Sequence, residues 1–182
     1  MTFEKTVTLK DGRNCLLRNG VTSDGKAVLD VFNRTHEETD YLLTYSDENC
    51  FTASQEADFL QRKTDSANNV EIIAVVDGVV AGTAGIDALG MRDKIKHRAV
   101  FGIAITKEFW GLGIGKYMME ACIECAREAV YLQLELEVVA ENERAVEMYR
   151  RAGFIEYGRN PKAFRLRTGE YQELIDMRLE LK

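Results

Sequence analysis

Three glycines at alternate positions form the stretch of this sequence best suited to chemistry. The stretch comprises Trp110, Gly111, Leu112, Gly113, Ile114, Gly115 and Lys116. Because glycine lacks a Cβ, successive backbone N–H groups can converge there on one anion, and the amino terminus of a following helix adds about half a positive charge. The lysine adds a cation. The loop therefore predicts a phosphate or pyrophosphate site, although a glycine-rich helix start packed against a strand would show the same residues.

Spacing separates the nucleotide-binding motifs that would account for this loop. A P-loop has Ser or Thr after its Gly-Lys pair, whereas Tyr117 follows Lys116. A dinucleotide fingerprint has GxGxxG directly after the first strand of a βαβ unit, whereas this loop reads GxGxG and lies in the middle of the chain. Glu135 lies 20 residues after Gly115, so a NAD-binding oxidoreductase stays open as a distant alternative.

The elements around the loop follow from hydrophobic periodicity. Residues 70–76 and 79–86 are β-rich runs joined by Asp77-Gly78, which predicts a hairpin. Thr52 and Gln55 form a capping-box pattern at the start of a helix over 52–63. Further helices are predicted over 24–38, 114–129 and 143–152, and further strands over 14–18, 97–105, 132–138, 154–158 and 171–181. The pattern predicts a mixed α/β class with an antiparallel start.

Composition narrows the class of protein further. The 182 residues include 30 acidic and 24 basic side chains, and a net charge of −6 argues against a nucleic-acid partner. No apolar run approaches the ~20 residues of a membrane span, and the amino terminus has no apolar signal core. With no repeat or linker, we expect one cytoplasmic domain over residues 1–182, without a membrane partner.

The cysteines and histidines do not predict a metal site. Cys122 and Cys125 form the one CxxC pair, and zinc ribbons or fingers require a second pair of ligands. The two histidines, His36 and His97, are far apart. Since the CxxC pair falls on the apolar face of a helix, we expect both thiols to pack in the core.

Two segments resemble the GNAT superfamily of N-acetyltransferases. Residues 110–115 are similar to its pyrophosphate loop, [Q/R]xxGx[G/A], with Trp110 in the first position. Residues 134–154 read LELEVVAENERAVEMYRRAGF and resemble the second half of the family's fold. The matching positions there are Asn142, Ala145, Tyr149, Gly153 and Phe154. The resemblance extends over about residues 70–181.

This resemblance implies a fold and a cofactor. The expected fold is a central, twisted, mostly antiparallel sheet with helices on both faces, in which two strands splay apart at a bulge around acetyl-CoA. Backbone groups of Ile103, Ala104 and Ile105 would pair with its pantetheine arm, and the loop at 110–116 would hold its pyrophosphate. Asn142 would contact the cofactor, cap the following helix, or do both.

The resemblance also implies roles in catalysis. Tyr149 is the expected acid that protonates the departing CoA sulfur. His97 is a candidate base, since an imidazole titrates near neutral pH, with a surface histidine or an ordered water chain as alternatives. Glu135 and Glu137 alternate with apolar residues and are expected to face solvent.

The expected reaction is direct transfer of acetyl from acetyl-CoA to a primary amine of a small molecule or a peptide amino terminus. The acceptor site would form from Glu37, Glu38 and Tyr41 and from the hairpin at 159–167, because acidic groups suit an ammonium acceptor. The main alternative is a non-catalytic acyl-CoA-binding module. Family members are often dimers, so the resemblance suggests a homodimer.

Overall fold

The computed structural model describes residues 1–181, which form one mixed sheet flanked by helices. The strands are β1 (Glu4–Thr8), β2 (Asn14–Asn19), β3 (Val70–Val76), β4 (Val79–Ala88), β5 (Arg98–Ile105), β6 (Gln133–Val139), β7 (Ile155–Arg165) and β8 (Tyr171–Glu180). The helices are α1 (Gly25–Glu38), α2 (Ala53–Asp65), α3 (Ile114–Glu128) and α4 (Glu143–Arg151). The strand order is β1-β2-β3-β4-β5-β6-β8-β7, and β5 with β6 is the parallel pair.

Most predicted elements lie where the sequence places them. The β3–β4 hairpin turns at Asp77-Gly78, and Thr52 caps α2 by accepting a hydrogen bond from the N–H of Gln55. Strand β1 has no counterpart among the predictions. Four of its five residues are exposed, so it lacks the alternating burial that marks a strand in sequence. Its pairing with β2, from Glu4 opposite Arg18 to Thr8 opposite Asn14, defines it.

Helices cover both faces of the sheet, as predicted. On one face α1 and α2 pack on β3 through Val28, Leu60 and Ile73. On the other face α3 and α4 pack on the main core, which contains Ile72 of the same strand. Cys122 and Cys125 are free and fully buried in this core. Within residues 1–181 no group of three or more potential ligands could hold a metal ion.

Strands β5 and β6 splay apart as expected. They pair at three positions only, from Arg98 opposite Gln133 to Val100 opposite Glu135, and both strands then continue without each other. The expected bulge does not accompany the splay, because β5 pairs with β4 in regular register from Ala99 to Ile105. The register shift nearby lies between β3 and β4, at Ala74 and Val75.

Glu135 corrects the expectation that both strand carboxylates face solvent. Its side chain is buried, and it accepts a bidentate pair of hydrogen bonds from Arg98, with 2.6 Å between Arg98 Nη2 and Glu135 Oε2. Glu137 is exposed as predicted. The parallel pairing of β5 with β6 brings the guanidinium beside Glu135, and sequence spacing alone does not show this contact.

A charged cluster joins α2 to the sheet. Lys63 is 6% exposed, and its Nζ lies 3.9 Å from Glu71 Oε2 and 2.5 Å from Asp87 Oδ1. Burial is the main cause that raises the pKa of Glu71 to about 7 from its ordinary value of 4.5, and Lys63 offsets part of that rise. Between pH values of about 4.5 and 7, the folded chain therefore holds a proton on Glu71 that the unfolded chain has already lost.

Glu71→Gln should change the pH dependence of stability. Between pH values of about 4.5 and 7 the folded state binds more protons than the unfolded state, so the wild type loses stability as pH rises through this window. The variant lacks that loss. The difference in melting temperature, variant minus wild type, should therefore increase as pH is raised from about 4 to about 8. The control is Glu124→Gln, an exposed carboxyl on α3. A constant difference between variant and wild type across this range would contradict the assignment.

Candidate active site

The glycine loop between β5 and α3 has a backbone that other residues rarely adopt. Gly111 and Gly113 have φ angles of 88° and 96°, in the left-handed region that favours glycine. A Cβ added at Gly111 would meet no atom within 4 Å, so this residue borders open space. The loop therefore presents its backbone, rather than side chains, to that space.

Six successive N–H groups in this loop have no partner. Within residues 1–181, the backbone N–H groups of residues 111–116 donate to no acceptor, and the next, from Tyr117, reaches the carbonyl of Gly113 at 3.4 Å. The last three belong to the first turn of α3, where the helix dipole also favours negative charge. This arrangement is suited to a pyrophosphate, whose oxygens accept several hydrogen bonds at once.

Contacts from two directions hold the loop in place. The N–H of Lys10 donates to the carbonyl of Leu112 at 3.1 Å, and Tyr117 Oη donates to the carbonyl of Thr8 at 3.3 Å. On the other side a Cβ at Gly115 would lie 3.2 Å from Met148 Sδ of α4. Gly115 thus permits the close packing of α3 against α4. Close packing at a helix start is the alternative explanation that the sequence allows for the glycines of this loop.

The loop is flanked by cations, of which the sequence indicated one. Lys116 is exposed, and its Nζ lies 3.7 Å from Glu120. The aliphatic chain of Lys10 passes 3.9 Å from the position of a Cβ at Gly113, and Arg144 lies over the Trp110 ring at 5.8 Å. Arg144 lies in the first turn of α4, where the dipole disfavours a cation, and the described chain provides no ion pair for it. A cation in the first turn of a predicted helix is unusual, so the sequence offers a signal for Arg144 as a site residue. The sequence offers no such signal for Lys10.

The splay leaves one edge of β5 without a strand partner. The carbonyl of Arg98 accepts from Leu89, and the N–H of Thr106 donates to Ala81, so even-numbered residues direct their backbone groups toward β4. Ile103 and Ile105 therefore direct theirs into the cleft toward β6. Ala104, which the resemblance groups with them, pairs with β4 instead, opposite Thr83.

Trp110 lies at the mouth of this cleft. Its Nε1 donates to the carbonyl of Ile105 at 2.6 Å, and Lys107 Nζ lies 5.7 Å from the centre of its ring. The side chain is 38% exposed. The indole thus occupies the carbonyl of Ile105, which an amide N–H of a ligand in the cleft would otherwise reach. Trp110 also directly precedes Gly111, the first residue of the glycine loop with a free N–H.

Tyr149 packs against the cleft from α4. It is 6% exposed, and its ring lies edge-on to Phe101 of β5 at 6.1 Å and near Phe154 at 5.8 Å. Burial raises its pKa well above the usual value for tyrosine, so the phenol stays protonated at neutral pH. Within residues 1–181 no group forms a hydrogen bond with its hydroxyl, which leaves the proton available to a ligand.

Asn142 caps α4, which is one of its two expected roles; the other is contact with the cofactor. Its Oδ1 accepts from the N–H of Ala145 at 3.3 Å. Its side-chain NH₂ has no acceptor in the described part of the chain and can still donate to a ligand.

The structure does not bring His97 to the other predicted residues. It lies in the turn before β5, where its carbonyl accepts from the N–H groups of Leu132 and Gln133 at 2.8 and 3.2 Å. This is the paired end of β5, opposite to the cleft. At about 3.3 Å per residue, Phe101 is already about 13 Å further along the strand.

One of the two predicted acceptor segments, the loop after α1, lies beside the cleft. A cavity of about 430 Å³ is lined by Glu38, Thr39, Asp40, Tyr41, Lys107, Trp110, Glu141 and Gln172. Glu38 is already engaged, since it accepts from the N–H of Lys107 at 2.6 Å and from Arg34 Nε at 3.0 Å. Glu37 is exposed and does not line this cavity.

The loop between α1 and α2 is fastened to the turn between β7 and β8. The N–H of Arg167 donates to Tyr45 Oη at 3.1 Å, and Arg167 Nη2 donates to Asp47 Oδ1 at 2.7 Å. The guanidinium also lies 4.1 Å from the centre of the Tyr45 ring. These contacts join the loop that contains Tyr41 to the hairpin at 159–167, although Tyr45 and Asp47 themselves lie outside the residues predicted for the acceptor site.

Comparisons with known proteins agree with this arrangement. Residues 30–154 match the model of the acetyltransferase (GNAT) family. The chain is 31% identical over 118 residues to the L-amino acid N-acetyltransferase AaaT of Escherichia coli K12, which covers 64% of this chain and 72% of AaaT. It is 30% identical over 105 residues to the N-alpha-acetyltransferase RimI of Mycobacterium tuberculosis, which covers 58% of this chain and 64% of RimI.

Solved structures share the fold. A GNAT-family acetyltransferase from Streptococcus pneumoniae has a TM-score of 0.87 and 26% identity, covering 91% of this chain and 99% of that one. The yncA protein of Salmonella typhimurium, solved with its cofactor acetyl-CoA, has a TM-score of 0.82 and 16% identity, covering 93% and 95%.

The chain belongs to the acetyltransferase (GNAT) family. The predicted class of enzyme, the fold and acetyl-CoA as co-substrate are confirmed by this membership. No helix of residues 1–181 is long and apolar enough to cross a membrane.

Trp110 is the one tryptophan of the chain, so its fluorescence should report acetyl-CoA binding. A ligand on the neighbouring N–H groups should disturb the indole's contacts with Ile105, Lys107 and Arg144. We expect a saturable change in emission on titration with acetyl-CoA, with the same midpoint as calorimetry. Trp110→Phe is the control for absorption by the ligand. Saturation in calorimetry with unchanged emission would contradict the placement of Trp110 beside the cofactor.

Proposed function

We propose that this chain transfers the acetyl group of acetyl-CoA to a primary amine of a small molecule or a peptide amino terminus. The observation that carries the proposal is the row of free N–H groups at residues 111–116, which adjoins the unpaired edge of β5. The names of the relatives support the acceptor class: AaaT is an L-amino acid N-acetyltransferase and RimI an N-alpha-acetyltransferase.

The loop and the cleft hold different parts of the co-substrate in this proposal. Backbone N–H groups of Gly111, Leu112, Gly113, Ile114, Gly115 and Lys116 bind the pyrophosphate, with Lys10 and Arg144 as nearby cations. The backbone groups of Ile103 and the N–H of Ile105 pair with the amides of the pantetheine arm, as a neighbouring strand would, while the carbonyl of Ile105 stays with the Trp110 indole. Asn142 contributes its free side-chain N–H from the opposite wall. The bound thioester supplies the activated acetyl carbon.

Tyr149 acts as the general acid. As the amine nitrogen bonds to the acetyl carbon and the C–S bond breaks, the phenol donates its proton to the sulfur. Burial keeps the phenol protonated at neutral pH, so the proton is present when the thiolate forms. An N–H on the cleft edge of β5 would stabilise negative charge on the thioester oxygen during the attack.

The amine loses a proton in the same reaction, and in this proposal that proton leaves through water, which returns a proton to the Tyr149 phenolate. His97 lies at the wrong end of β5, so we do not assign it as the base. The acceptor cavity is lined by polar groups and has room for ordered water that can carry this proton.

Two alternative functions have less support. A non-catalytic acyl-CoA-binding module does not require a protonated tyrosine beside the cleft. A NAD-binding oxidoreductase would use Glu135 for a ribose, but Arg98 already engages both oxygens of that carboxylate.

We also propose that residues 1–182 form one cytoplasmic domain. The support is the single sheet through the described strands and four free cysteines, which suit a reducing compartment. A homodimer stays a prediction from the family resemblance, and light scattering on the purified protein tests it.

Gly111→Ala tests the cofactor site. A Cβ there would enter the space assigned to the pyrophosphate, and we expect acetyl-CoA affinity measured by calorimetry to fall at least about tenfold, or ~1.4 kcal/mol. The matched control is Gly78→Ala in the β3–β4 turn, with a φ of 80° against 88° and equally open surroundings. Both variants should lose similar stability, since both force a side chain into the left-handed region. Equal affinities in the two variants would refute the site.

Tyr149→Phe tests the acid. Loss of the proton donor should lower kcat by about 10² or more, while acetyl-CoA affinity stays within about twofold. The assay follows release of CoA thiol with a panel of L-amino acids and a peptide with a free amino terminus. Tyr131→Phe is the control, because Tyr131 is also buried and its hydroxyl also lacks a hydrogen-bond partner. Unchanged turnover of Tyr149→Phe would remove Tyr149 from the mechanism.

A further inference from the structure

A buried glutamine lines the acceptor cavity with an unused hydrogen-bonding atom. Gln172 of β8 is 8% exposed, and its Oε1 is fully buried without a partner in the described chain. Buried polar atoms are nearly always hydrogen-bonded, so an unpartnered atom on a side chain that lines a cavity indicates a missing ligand. The oxygen accepts hydrogen bonds, and the ligand it lacks is therefore a donor.

The position of Gln172 connects this atom to the reaction site. The same cavity is lined by Trp110, whose indole bonds to Ile105 at the mouth of the cleft. On the strand side, Gln172 pairs with Phe164 of β7, just beyond the register shift that begins at Asn160. An acceptor in this cavity would thus lie between β8 and the end of the cofactor cleft.

The charges of the cavity favour the same kind of ligand. Three carboxylates, of Glu38, Asp40 and Glu141, lie on its wall with one cation, Lys107. Glu38 is engaged, but Asp40 and Glu141 form no ion pair with any residue in the range 1–181. Unpaired carboxylates around a buried acceptor atom suit an amine or ammonium group, which donates hydrogen bonds and carries positive charge.

We propose that Gln172 Oε1 binds the acceptor amine by accepting a hydrogen bond from one of its N–H groups. This role rests on the proposed acetyltransferase function. During transfer the nitrogen forms a bond to the acetyl carbon, the C–S bond breaks, and the sulfur takes the proton of Tyr149. An acceptor that binds as ammonium first loses a proton to water. The proton that the amine loses on acetylation also passes to water, which returns a proton to the Tyr149 phenolate. Gln172 takes no proton; it orients the nitrogen so that its lone pair faces the acetyl carbon.

The test compares Gln172→Met with Gln172→Glu. Methionine has similar length without an acceptor oxygen, and we expect its KM for the amine to rise about tenfold, with acetyl-CoA affinity unchanged in calorimetry. Glutamate keeps an acceptor oxygen and should retain the wild-type KM within about threefold. Gln133→Met is the control, because Gln133 donates to Glu180 at 2.9 Å on another strand. The probes are the L-amino acids and a peptide with a free amino terminus.

Each outcome separates this role from the proposed function. Wild-type turnover with an unchanged amine KM in Gln172→Met overturns the role of Gln172 alone. Equal loss in the methionine and glutamate variants also overturns it, because the defect would then follow from shape rather than from the oxygen. Acetyl-CoA binding by the wild type without thiol release from any probe would overturn the transferase proposal together with this one.

Discussion

The architecture of this site depends on one constraint, namely that backbone N–H and C=O groups left unpaired by the fold need hydrogen-bond partners. Folded proteins pair nearly all such groups, and leaving them free is costly when they are shielded from water. Here they are concentrated in two adjoining places. Strands β5 and β6 pair at three positions and then diverge, and residues 111–116 immediately beyond β5 leave six N–H groups without partners. A ligand with both amides and a pyrophosphate satisfies both sets, and acetyl-CoA is such a ligand.

The remainder of the fold keeps these groups in position. Contacts from β1 and from the turn after it hold the outer side of the loop, at Lys10 and Thr8, while Gly115 lets α3 approach α4. The same packing sets Tyr149 beside Phe101, so the proposed acid and the unpaired strand edge share one part of the core. On the acceptor side, Arg167 fastens the α1–α2 loop to the last hairpin. Cofactor cleft and acceptor cavity therefore meet at Trp110.

Local patterns made much of this predictable. The loop, the capping of α2 and the β3–β4 turn depend on residues a few positions apart, so the sequence indicates them directly. The residue type of Asn142, directly before α4, likewise predicts the helix cap that the structure contains. Contacts between distant segments were not accessible in this way. Glu135 is buried against Arg98, which the parallel pairing of β5 with β6 brings within hydrogen-bonding distance, and β1 is a strand because β2 pairs with it. Lys10 and Gln172 approach the site through the sheet order, which no spacing in the sequence encodes. His97 shows the reverse case: its residue type suits a base, but it lies in the turn before β5, at the end of that strand away from the cleft.

Hydrogen exchange of the loop amides tests the central claim most directly. In the free protein the N–H groups of residues 111–116 lack intramolecular acceptors and should exchange rapidly, as exposed amides do. Saturating acetyl-CoA should slow their exchange together with that of Ile103 and Ile105, while the amide of Gly78 in the distant hairpin turn stays unchanged. Protection confined to these positions would support the cleft and loop as one cofactor site. Saturable binding that leaves the loop amides exchanging at their original rate would contradict it.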